Sequence, residues 1–111
     1  MSQQLNEPQN RPEGMSHPIA AIIRFNGDPD DVFERFEKAR RLFLEAQGDD
    51  HNRPAFYAAC KRRDGIVIVG GWESNAAQKE FGRRMRPQLE AVGLGRPDQH
   101  EHMWIEKLGW E

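Results

Sequence analysis

The chain has 111 residues, 31% of them charged and 37% apolar, with a formal charge of -2. That is one domain with a modest core, too short for two separate cores and too near neutral to gather nucleic acid or an anionic membrane by its bulk field. Cys60 is the only cysteine, which excludes an intrachain disulfide, and no stretch has the length of a membrane span or the apolar run of a secretory signal, so a cytoplasmic setting is expected.

Residues 1–17 are rich in Gln, Asn and Pro and read as a disordered tail ahead of a single domain over 18–111, with Met1 and Met15 both open as the true start. Pro18 to Phe25 reads as the first strand, with Ile19, Ala21, Ile23 and Phe25 on one side and Ala20, Ile22 and Arg24 on the other. After Asn26-Gly27, Asp28 is placed to cap a helix whose first position is Pro29. Val32, Phe36, Ala39, Phe43 and Ala46 then form one apolar stripe, with Gly48 as the stop and a polar loop over 48–54.

Ala55 to Arg63 and Ile66 to Glu73 form a hairpin across Asp64-Gly65, a dipeptide suited to a type I′ turn. With those two residues as the whole loop, Arg63 faces Ile66, Lys61 faces Ile68, Ala59 faces Gly70 and Tyr57 faces Trp72, which leaves a hollow or a close helix approach between two large rings. Ser74 or Asn75 caps a second helix carrying Ala77, Phe81, Met85 and Leu89. Pro87 kinks or breaks that helix before Gly93 and Gly95 end it. His100 to Leu108 alternate as a last strand, with His100, His102, Trp104 and Glu106 on one face.

Strand, helix, strand, strand, helix, strand, joined by right-handed crossovers, predicts a ferredoxin-like α+β unit: a four-stranded antiparallel sheet with both helices on one face. The uncovered face is too apolar to stay wet, so a second copy packing on it, giving a dimeric α+β barrel, is expected.

With its third-strand ending Gly71-Trp72-Glu73-Ser74 and a second helix carrying Phe81, the chain resembles the antibiotic-biosynthesis-monooxygenase group of the dimeric α+β barrel superfamily, over roughly residues 18–108. That resemblance implies a homodimer and places the chain among cofactor-independent oxygenases of polycyclic phenols, heme-degrading enzymes and many proteins without known function. The heme-degrading branch uses a first-strand Asn, a Trp like Trp72 and a His in the second helix. Here only the Trp is present, the other sites falling near Ala21 or Ile22 and near Gly82, which argues against heme.

The expected function is a cofactor-independent monooxygenase or binding protein for a planar aromatic or polyketide-like ligand, with no cofactor and no metal. The alternative is a non-catalytic dimeric domain, structural or regulatory. Trp72 and Phe25 are candidate walls, and packing of the large Trp72 ring between sheet and helix at the strand end already accounts for its presence. Tyr57 is a candidate hydrogen-bond donor, Arg24 a candidate stabiliser of an enolate or phenolate, and His100 or His102 a candidate base. The two histidines point the same way as a metal pair would, but no third ligand is evident. Cys60 reads as a small buried hydrophobe, and the clusters Lys61-Arg62-Arg63 and Arg83-Arg84-Arg86 read as solvated faces. The aliphatic third strand Ile66-Val67-Ile68-Val69 lacks the stacking rings of an RNA-recognition module.

Overall fold

The computed structural model describes residues 17–47 and 53–108. The order is β1 (Ile19–Asn26), α1 (Pro29–Gln47), β2 (Phe56–Arg62), β3 (Gly65–Trp72), α2 (Asn75–Ala91) and β4 (Gln99–Trp104). The four strands pair antiparallel in the order β2-β3-β1-β4. This is the ferredoxin-like α+β unit that the element order predicts. The expected tail, the alternative start at Met15, the Gly48 stop and most of the polar loop lie outside the described residues.

α1 begins as its sequence dictates: the Asp28 carboxylate accepts from the Asp31 N–H at 3.0 Å, and Pro29 fills the first helical position, where no N–H is needed. Its buried stripe is Val32, Phe36, Ala39 and Phe43. Ala46 is exposed, contrary to the expected stripe, because the last turn meets α2 through a polar contact, Arg84 Nη1 donating to Gln47 Oε1 at 3.1 Å.

The hairpin register differs from the expected one by two residues. Arg62 pairs with Gly65, so Arg63 and Asp64 form the tip. Lys61 then faces Ile66, Ala59 faces Ile68 and Tyr57 faces Gly70. Gly65 is drawn into the strand because it also pairs with Asn26 of β1, against which no side chain fits: a Cβ there would overlap the Phe25 carbonyl oxygen. Because strand faces alternate with period two, the shift leaves every side chain on its expected side.

Ser74 caps α2, its Oγ accepting from Ala77 N–H at 3.1 Å, and the helix continues unbroken through Pro87 to Ala91. Gly93, at φ 85°, then closes the end, with Leu94 N–H bonded to the Leu89 carbonyl at 2.9 Å. Gly82 sits in the helix interior with nothing within 4 Å of where a Cβ would lie. Gly82→Ala is expected to stabilise the fold by about 0.5–1 kcal/mol, through lost freedom in the unfolded chain; urea denaturation will read it, and a destabilisation would contradict the open space.

β4 stops at Trp104 rather than at Leu108, because its partner β1 begins at Ile19, opposite Trp104. One further bond, Ile105 N–H to the Pro18 carbonyl at 2.9 Å, ends the ladder.

The main core lies between sheet and helices: Phe25, Val32, Phe36, Ala39, Phe43, Ile66, Ile68, Met85 and Leu89. A second, smaller cluster unites Ile19, Ala21 and Trp72 with Ala77, Phe81 and Trp104. Both helices pack over β3, α1 reaching β2 and β1 as well, while β4 has no comparable helix contact.

Candidate functional site

Cross-strand pairing puts Tyr57, Gly70, Ala21 and His102 in one row on the helix side of the sheet. The neighbouring row holds Trp72, Ile19 and Trp104. The hollow expected at Gly70 is filled: the Trp72 ring lies over it, with Cη2 2.9 Å from the position of a Cβ. Trp72 is 7% exposed and packs against Phe81, ring centroids 5.3 Å apart. Its Nε1–H is buried and meets no acceptor among the described residues. An unmade bond of this kind costs about 1–3 kcal/mol, so an incoming oxygen atom would be favoured there.

Beyond Ala21, on the same helix-side face but along the edge strand β4, which the helices barely reach, stand His100, His102 and Trp104. The two imidazoles lie 4.5 Å apart, edge to face. Burial, and secondarily the neighbouring His102, hold His100 below its ordinary pKa of 6.5. A base whose folded pKa is depressed is charged more readily in the unfolded chain. Its contribution to stability is therefore complete above 6.5 and is lost as pH falls from there through the folded value. Thermal melts of His100→Gln are expected to fall less steeply than wild type between pH 7 and 5, and parallel curves would contradict the placement.

The sequence-derived candidates thus separate into three places. Trp72 packs with Phe81 and Trp104, and His102 and His100 follow Trp104 along the same face of β4. Phe25 is 2% exposed inside the main core, tilted against Phe36 with centroids 6.4 Å apart, and lines no part of that region. Tyr57 is 41% exposed and turned toward α1. Burial is the main cause raising its pKa, which the Arg40 guanidinium opposes and the negative charge of Glu37 reinforces. Three strand spacings, roughly 14 Å, separate it from His102. Arg24 projects from the opposite face of the sheet, where it lines a shallow depression of about 250 Å³ with Arg62, Asp64 and Gln99. Donor, base and guanidinium therefore do not converge within one subunit.

Trp104 and Phe81 join Trp72 here without having stood out as site residues in the sequence. Trp104 had a legible signal, its alternation with the two histidines, whereas Phe81 reads from sequence as ordinary helix core. Cys60 is exposed on the open face of an edge strand, a correction to the buried reading: a residue of β2 on that face has no helix above it. Gly82 and Ala21 bring no ligating or polar side chain to the sheet, and no three His, Cys, Asp or Glu side chains gather as a metal set among the described residues. None of the described helices is long and apolar enough to cross a membrane.

No protein-family model and no curated protein matches the chain. Solved structures do. A candidate antibiotic biosynthesis monooxygenase from Caulobacter crescentus superposes with a TM-score of 0.56 at 13% identity, covering 85% of this chain and 92% of its own. SnoaB, a cofactor-independent oxygenase from Streptomyces nogalater, gives 0.56 at 13% identity over 86% of this chain and 97% of its own. A Bacteroides thetaiotaomicron protein of unknown function gives 0.58 at 11% identity over 82% and 100%. At such identities the likeness is one of architecture. This chain accordingly has the ferredoxin-like α+β fold of the antibiotic-biosynthesis-monooxygenase-like proteins.

Proposed function

We propose that the protein is a homodimeric, cytoplasmic, cofactor-independent oxygenase that acts on a planar aromatic or polyketide-like ligand, held at the edge of the sheet between α2 and β4. One observation carries the reading. A buried indole with an unused N–H, backed by Phe81 and Trp104, lies on the same face of the sheet as the two β4 histidines, one of which burial holds below its ordinary pKa. Aromatic rings stack on a flat ligand, and a neutral imidazole can take its proton.

In this reading His100, or His102 beside it, removes a proton from a phenol or from the acidic carbon next to its carbonyl. The resulting carbanion passes one electron to dioxygen, the radical pair combines as a peroxide anion, the imidazolium returns its proton to give the hydroperoxide, and loss of water leaves a quinone. One oxygen atom enters the product and the other leaves as water. Trp72 Nε1–H donates to the ligand oxygen as its negative charge builds. Tyr57 is too far from the histidines to donate to the same atom, and Arg24 acts on the other side of the sheet.

A second reading, a non-catalytic dimeric ligand-binding domain, is favoured by the filled space between sheet and helices. Dithranol, a tricyclic phenol, separates the two. Quenching of tryptophan fluorescence together with oxygen uptake, the uptake falling about a hundredfold in His100→Ala/His102→Ala, is the expected result. Quenching without uptake would favour the second reading. Neither signal, at concentrations up to the solubility of the probe, would remove the proposed site.

A further inference from the structure

The face of the sheet opposite the helices carries Ile22, Val67 and Val69 at its centre, with Phe56 and Met103 exposed at 37% and 38% toward one end. Three charged side chains stand on it. Arg62 is paired with Asp64, at 3.7 Å. The other two, Arg24 on β1 and Glu101 on β4, occupy neighbouring strands one row apart, since Arg24 pairs with Gln99 and Ile22 with Glu101. Neither meets a side-chain partner among the described residues. Arg24 is nevertheless half-buried, its stem lying along the apolar surface.

A membrane or a nucleic acid would select a face of one sign. This one presents, among the described residues, one cation and one anion without side-chain partners on an oily ground, which is the charge pattern of a surface that complements itself. In a twofold contact, residue i meets residue j and j meets i, so one such couple per chain makes two ion pairs per dimer. We propose that the open sheet face is an isologous interface in which Arg24 of one copy pairs with Glu101 of the other, twice over. The inference rests on the dimer reading above and adds the charge pair that fixes the register and identity of the partner. Desolvation at the centre of the contact makes a like-charge mismatch there costly, so the couple rejects misaligned or foreign surfaces.

Sedimentation of the full chain tests it, using Arg24→Glu, Glu101→Arg, their equimolar mixture and the double swap. The wild type is expected to be a dimer at micromolar concentration, and each single reversal to weaken association by about a hundredfold or more. In the mixture each chain carries the charges that the other lacks, so heterodimers of near wild-type affinity are expected. A monomeric wild type overturns both this inference and the dimer reading. A dimeric wild type with undisturbed reversals overturns the charge pair alone. Rescue by the double swap but not by the mixture also overturns it, because the pair then lies within one chain. Far-UV circular dichroism checks folding. If a reversal unfolds the chain, Arg24→Gln and Glu101→Gln, combined in a double-mutant cycle on the dimer constant, give the same decision: coupling of about tenfold supports the pair and additive effects overturn it.

Discussion

Trp72→Ala will destabilise the protein by about 3–5 kcal/mol, the range for deleting a buried aromatic ring. The indole is 7% exposed, lies over Gly70 and packs on Phe81, so its removal empties the centre of the smaller cluster. For a domain of this size the midpoint of thermal unfolding should fall by more than about 12 °C. Trp72→Phe separates packing from hydrogen bonding. It keeps most of the apolar area and discards the unpartnered N–H, so stability should change by less than about 1.5 kcal/mol while affinity for the dithranol probe falls. A Trp72→Ala variant that melts like wild type would show that the ring is not packed as described. Unchanged affinity in Trp72→Phe would show that the N–H does not face the ligand.

Gly65→Ala will be comparably damaging, at about 3 kcal/mol or more, and by a different mechanism. At φ 151° the backbone is in a region that side chains avoid, and a methyl group would run into the Phe25 carbonyl oxygen of the adjacent strand. The clash is with backbone, so no rotamer change relieves it. Either the β1–β3 pairing yields or the hairpin slips. Equilibrium denaturation gives the cost, and amide exchange at Asn26 and Gly27 reports the damage, because Gly27 N–H bonds the Asp64 carbonyl at 2.9 Å beside the turn. If Gly65 instead stood at the loop tip, as the Asp-Gly dipeptide alone implies, alanine would cost only about 1 kcal/mol.

That contrast shows where the sequence speaks and where it does not. Periodicity and caps are local, and they locate α1, α2, the strand faces and the side of the sheet on which Trp72, His100 and His102 lie. The hairpin register is decided by a third strand: Gly65 is recruited because β1 leaves no room for a side chain, and nothing within residues 55–73 contains that information. The same limit hides the site. That Trp72 covers Gly70, that β4 escapes the helices, and that Tyr57 turns to Glu37 depend on how the layers stack. Arg24 was legible as lying on the other face. Residue type alone points Cys60 to the interior, whereas its exposure follows from the edge position of β2.

Phe81 alone, among the described residues, packs against both apolar clusters, with Phe43 at 4.9 Å on one side and Trp72 at 5.3 Å on the other. Joined through a single ring, the two bodies of the interior communicate there: a change of shape at Phe81 is felt in both, whereas substitutions elsewhere in either body add almost independently to the loss of overall stability.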